Sequence, residues 1–314
     1  MTNDIQLSQL VNMDSTEEVL KEGLHILDLI SSEFDTVSIV SAFHKTVSLY
    51  RGGWPGYKSC NTGFHDLRHM TDTFLAMARL IHGAIINGQT FSDRRILVAL
   101  IATILHDAGY IQKDHDMEGT GAKYTACHVQ RSMDFLEYHA ASYDLSREEI
   151  SEGRVMILCT DLVVDISAIE FPSRKAELLG KMLGSADLLA QMADRNYLEK
   201  LLFLYHEFKE AGVGDYESEV DLLRKTIGFY DFIANRLEMT LDATDRFMGY
   251  HFIKRWSIHT NLYREAIEKQ RGYLRKILET QDSDPRPYLK RSGIIERVRE
   301  KYGIITEAKQ AETA

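Results

Sequence analysis

Apolar residues recur every three or four positions through most of the chain, the spacing of one face of an α-helix. Ser15, Thr16, Glu17 and Glu18 make a helix start, and Leu20, Leu24 and Leu27 follow on one face. A second helix is predicted over 38–50. The run Arg51, Gly52, Gly53, Trp54, Pro55, Gly56 breaks it, and a loop continues to about Phe64. From His65 the pattern returns, with Leu67, Met70, Phe74, Met77, Ala78 and Ile81 in one stripe until Asn87 and Gly88 end it. Ser92 or Asp93 caps the next helix, whose stretch 96–105 is so apolar that burial on most sides is expected. After a polar loop over 112–119, helices are predicted over 122–139, 146–166, 173–193, 197–210, 219–239 and 244–278. Residues 282–287 read as a short linker and the last ten as a frayed tail.

No alternating stretch is long enough to build a sheet, and no internal repeat is visible. The expectation is an all-α fold, an irregular helical bundle over 1–281. Within it 1–50 forms N-terminal helices and 51–281 the chemical core; 282–314 adds a C-terminal helix and tail.

Composition narrows the function. The 314 residues carry 47 acidic against 37 basic side chains, a net charge of −10 that disfavours binding to a phosphate backbone. The 3 cysteines, Cys60, Cys127 and Cys159, form no CxxC pair, so a disulfide framework is not expected. No run approaches the roughly 18 apolar residues of a membrane span, and the first ten residues lack the features of a secretory leader. A cytoplasmic protein without nucleic-acid or membrane partners is expected; an oligomer is compatible with the sequence.

Three local features carry possible chemistry. His65 and His69 are four apart, so on a helix both project from one face. His106 and Asp107 follow the most apolar segment, where an ionised carboxylate is costly to bury unless something compensates it. Asp187 lies among Ser185, Ala186 and Leu188, with Asp194 seven residues on. A cation shared by His69, His106, Asp107 and Asp187 would supply that compensation, and imidazole with carboxylate suits zinc, iron or manganese, with magnesium at an oxygen-rich position. Each feature alone also has an ordinary reading as a solvated or hydrogen-bonded helix residue.

At these residues the sequence resembles the HD-domain metal phosphohydrolases, whose signature order is H…HD…D. It is most similar to the catalytic domain of class I 3′,5′-cyclic-nucleotide phosphodiesterases. Residues 64–69 resemble that group's YHNxxH motif, 157–162 its LATDM segment, 185–188 its CADL and 225–233 its SQVGFIDYI, in the same order. The resemblance implies two divalent metal ions, the first Zn, Fe or Mn and the second Mg or Mn. His69, His106, Asp107 and Asp187 would hold the first, with Asp107 reaching to the second. It makes His65 the general acid, places Thr160 and Asp161 at supporting and pocket positions, and gives His128 a supporting or second-metal role. Phe229 would stack on a base. The implied activity is hydrolysis of a phosphodiester, first a 3′,5′-cyclic nucleotide, by metal-activated water.

Two positions depart from the pattern. Thr226 stands where the purine-reading glutamine belongs, and Tyr110 where a second histidine belongs, with His115 or Glu118 as the replacements from the neighbouring loop. Thr226 keeps open an enzyme acting on nucleotide monophosphates or another phosphate ester. A catalytically silent helical module that binds a nucleotide or a partner is the remaining alternative.

Overall fold

The computed structural model describes residues 5–280 and 284–303. Part of the predicted linker and the predicted tail lie outside the described residues. Among the described residues twelve α-helices follow one another: α1 (Thr16–Ile30), α2 (Thr36–Tyr50), α3 (Leu67–Ile86), α4 (Asp93–Leu105), α5 (His128–Tyr138), α6 (Arg147–Leu158), α7 (Arg174–Ala193), α8 (Tyr197–Ala211), α9 (Glu219–Asn235), α10 (Phe247–Trp256), α11 (Leu262–Leu278) and α12 (Ile294–Tyr302). Among the described residues there is no strand, only an isolated bridge between Tyr57 and Lys113, so the fold is all-α. No described helix is long and apolar enough to cross a membrane.

Most starts are set by a side-chain oxygen accepting an otherwise unpaired amide of the first turn, as Ser15, Asp35, Ser92, Ser146, Ser173 and Ser218 do. The predicted helix over 122–139 forms only from His128. Before it lies a 3₁₀ turn, Gly121–Tyr124, where the chain passes so close to Tyr110 that a Cβ on Gly121 would lie 2.0 Å from the Tyr110 carbonyl oxygen. The helix predicted over 146–166 stops at Leu158. That over 219–239 ends at Asn235 and widens into a π turn, Arg236–Thr240. The stretch 244–278 is two helices, because Ser257 turns left-handed (φ 56°) and Asn261 caps a new start.

α3 is the central rod. It is buried continuously from His69 to Ala84 and packs on α1, α4, α7 and α10. α7 lies against it and is itself covered by α6 and α11. α12 returns to α8, stacking Tyr302 on His206 at 3.8 Å and donating from Lys301 Nζ to the Asn61 carbonyl at 2.7 Å. One contiguous apolar core therefore reaches from α1 to Val298.

The α3–α10 crossing depends on a missing side chain. A Cβ on Gly83 would sit 1.9 Å from the Phe247 carbonyl oxygen. Gly83→Ala is expected to lower stability by about 1–3 kcal/mol, since a buried helix pair must part to admit a methyl. A thermal unfolding midpoint unchanged from wild type would contradict this close packing.

Candidate metal centre

Four acidic and imidazole groups from three elements meet in the interior. Asp66 caps α3 by accepting the His69 backbone N–H at 2.9 Å, which places His69 in the first turn. α4 is buried along its apolar length, so its packing delivers His106 at its C-terminal cap and Asp107 just beyond it into the core. Asp187 lies within α7. The four are between 1% and 9% exposed, too buried for water to neutralise their charges.

Their tips converge. His69 Nε2 is 3.0 Å from Asp187 Oδ1 and 3.4 Å from Asp107 Oδ2. His106 Nε2 is 3.4 Å from Asp107 Oδ2, 3.6 Å from Asp187 Oδ1 and 3.3 Å from His69 Nε2. Ligand atoms at roughly 2.0–2.2 Å from a cation lie about 3 Å from their neighbours, so these separations suit a shared ion. His69, His106 and Asp107 form the tightest set, all ligand atoms within 4.8 Å of one another.

Two further observations favour a cation. Asp107 Oδ2 is buried without a hydrogen-bond partner, although two imidazole nitrogens flank it. His106 Nδ1 lies 2.7 Å from the Thr103 carbonyl oxygen, where its N–H donates and leaves the Nε2 lone pair pointing at the centre. Without a metal the group would hold protons instead. Burial opposes charge on His106, but Asp107 and then Asp187 outweigh it and push the imidazole up to about 9. Burial likewise works against the two carboxylates, and the surrounding imidazoles, His106 foremost, still hold both below the usual range.

His65 differs from its expected placement. The helix begins only at Leu67, so His65 lies before it and the two histidines do not share a helical face. Its partner is not the adjacent Asp66, which instead caps α3 and pairs with Lys200 at 3.1 Å. Glu207, from α8, accepts from His65 Nδ1 at 2.8 Å and from the backbone N–H groups of Gly63 and Phe64, each at 2.7 Å. Burial pulls the His65 imidazole down, but the Glu207 bond, then Asp107, reverses this and leaves it raised.

Tyr110 stands where a histidine was expected and makes a stack instead. Its ring lies between His65 and His128, with centroids 4.4 Å from each. His128 Nε2 reaches to 3.7 Å from Asp107 Oδ1, while its Nδ1 meets the Thr125 carbonyl at 2.7 Å. Burial, only partly offset by Asp107, lowers the His128 pKa. This close approach of α5 needs Gly109, whose Cβ would fall 2.0 Å from the His128 carbonyl oxygen.

A cavity of about 550 Å³ opens from these residues, with His65, Asp107, His128 and Asp187 in its wall. Thr160, Asp161, Thr226 and Phe229 also line it. The 159–162 turn is held there by Arg236, which donates to the Asp161 carbonyl at 2.6 Å. Thr226 donates its hydroxyl back to the Leu222 carbonyl at 2.8 Å, and Phe229 stacks against Phe232. Glu118 and His115 are not brought to the centre. Both are exposed on the 112–119 loop, whose Asp116 is tied to Lys123 at 2.5 Å and to Tyr124, and whose Glu118 carbonyl, not its carboxylate, faces inward to Gln112. Asp194 ends α7 apart from Asp187, near Arg68 at 3.5 Å. Glu207 is the residue that sequence reading missed. Its one signal is an acid on the buried stripe of α8, seven residues after Lys200 and four after Phe203.

A family model described as Npun_R2479-like matches residues 55–246. That is well over half of the chain, and the protein belongs to this family. The matched span contains every residue of the centre and of its cavity wall named above. No curated protein matches the chain.

Proposed function

We propose that this member of the Npun_R2479-like family is a metal-dependent phosphohydrolase. The observation that carries the reading is the convergence of His69, His106, Asp107 and Asp187, of which Asp107 and Asp187 reach the wall of a cavity that also presents His65 backed by Glu207. Divalent cations bound there would supply Lewis acidity, polarising phosphoryl oxygens and lowering the pKa of water. The protein's own groups do the rest. Glu207 accepts from His65 Nδ1–H, which leaves the proton on Nε2 to be donated to a departing oxygen. His128 stacks on Tyr110 and brings its Nε2 to 3.7 Å from Asp107 Oδ1. Phe229 offers an aromatic face to the organic part of the substrate.

A 3′,5′-cyclic nucleotide is the first substrate class to test, on the resemblance of four sequence blocks. One feature favours a second class. The Thr226 hydroxyl donates within its own helix, and Tyr197, Leu201, Leu204, Phe208 and Leu222 make much of the remaining wall apolar. Such a wall gives little hydrogen-bond discrimination between bases, which suits a nucleotide monophosphate or another phosphate ester. The experiment is elemental analysis followed by a panel of cyclic nucleotides, nucleoside monophosphates and bis(p-nitrophenyl) phosphate with Mn²⁺ or Mg²⁺. Turnover of at least one phosphoester, lost on chelation, is expected. Bound metal with no turnover across the panel would favour a silent binding module and remove the enzymatic reading.

A further inference from the structure

The cavity beside the centre is lined by two unlike sets of residues. His65, Asp107, His128 and Asp187 supply its charge and proton chemistry. Much of the remaining wall comes from α8 and α9, which pack on each other. Tyr197, Leu201, Leu204 and Phe208 are spaced by four, three and four, so they form one stripe of α8. At the helical rise per residue that stripe is about 16 Å long. Leu222, Thr226 and Phe229 repeat the spacing on α9. The apolar lining continues to the surface. Leu162 and Val163 also line the cavity and are 37% and 91% exposed. Phe229 stacks on Phe232, itself 48% exposed.

Most polar side chains of this wall are already engaged. The hydroxyls of Thr125, Thr160 and Thr226 each donate to a carbonyl of their own turn, at 2.7–2.8 Å. Asp161 Oδ1 accepts the Val163 N–H at 2.9 Å, Lys225 pairs with Asp221 at 2.9 Å, and Gln191 donates to Asp187 at 3.4 Å. The phenols of Tyr197 and Tyr216 add one hydroxyl each. A nucleobase and its sugar brought here would lose water at several polar atoms and regain few hydrogen bonds. A hydrocarbon chain has no such loss, and every methylene it buries adds to its binding.

We propose that the cavity takes the phosphoester of an apolar alcohol, its phosphoryl group at the centre and its chain along the stripes of α8 and α9. This rests on the phosphohydrolase reading above and names its substrate class. Hydrolysis breaks the ester P–O bond. Water gives its hydroxyl to phosphorus, His65 gives its proton to the departing alkoxide, and the remaining proton of the water restores His65. The experiment is calorimetric titration of the Mn²⁺-loaded full chain with n-alkylphosphonates from methyl to octyl, which have no ester bond to hydrolyse. Affinity is expected to rise about fourfold with each buried methylene, and octylphosphonate is expected to bind more tightly than adenosine 5′-monophosphate. Leu204→Asn, at a half-buried position of the α8 stripe, should bind octylphosphonate about tenfold less tightly than wild type. Affinity independent of chain length, tighter binding of the nucleotide, or an unchanged octylphosphonate affinity in Leu204→Asn would each overturn the proposal. Turnover separates the two readings. A rising series without turnover of octyl phosphate removes hydrolysis and leaves the ligand class, whereas turnover of nucleotides with a flat series removes the ligand class and leaves hydrolysis.

Discussion

Replacing His69 with alanine is expected to strip the protein of tightly held metal and to lower phosphoester hydrolysis by about 10³-fold or more. His69 Nε2 is the shared contact of the centre, 3.0 Å from Asp187 and 3.4 Å from Asp107. A Lewis acid is worth several kcal/mol to the transition state, and each 1.36 kcal/mol is a factor of ten in rate. The matched control is Asp194→Asn. It alters an acid seven residues along from Asp187 that pairs elsewhere, and it should keep its metal. The same geometry sets a pH dependence. His106 is raised from 6.5 to about 9, so in metal-free protein its proton contributes stability that is whole below about pH 6.5 and is lost as pH rises through about 9. A metal ion must displace that proton, so metal uptake should strengthen with pH up to about 9 and level off above it. Metal content in His69→Ala equal to wild type, or uptake that weakens as pH rises over that range, would remove the metal centre from the account.

The all-α fold and the conspicuous His106–Asp107 pair were legible from local pattern, whereas Asp187 was singled out over Asp194 by the resemblance of 185–188 to a family motif. Apolar spacing of three and four specifies helices without knowledge of their neighbours. Asp107 was conspicuous because a carboxylate just past the almost wholly apolar run 96–105 has few inexpensive explanations. What stayed hidden depends on approach between distant segments. The start of α5 is delayed by contact of Gly121 with Tyr110 and of Gly109 with His128, neither visible in periodicity. The break at Ser257 needs a left-handed serine that propensity does not favour. Asp66 is adjacent to His65 in sequence, yet helix capping claims it. The partner is Glu207, 142 residues away. Glu118 and His115 looked available because they are polar and near in sequence, and their loop turns both side chains to solvent.

Glu207→Gln is expected to leave metal bound and to move the alkaline limb of the pH–rate profile to lower pH. Glu207 uses Oε1 for the amides of Gly63 and Phe64 and Oε2 for His65 Nδ1. A glutamine keeps one oxygen for the two amides and turns its NH₂ toward Nδ1. The imidazole must then accept at Nδ1, which favours the neutral ring. His65 is raised in the native protein, with the Glu207 bond the largest force opposing its burial, so removing that bond lowers its pKa. A general acid works only while protonated, so activity is lost at a lower pH than in wild type. His65→Ala goes further and should cut turnover by about 10²–10⁴-fold while abolishing that limb. The leaving group separates this role from mere support of the fold. p-Nitrophenolate departs without a proton, so both variants should be much less impaired on bis(p-nitrophenyl) phosphate than on an alkyl phosphodiester. Equal losses on the two substrates, or an unmoved alkaline limb in Glu207→Gln, would show that His65 does not donate the proton.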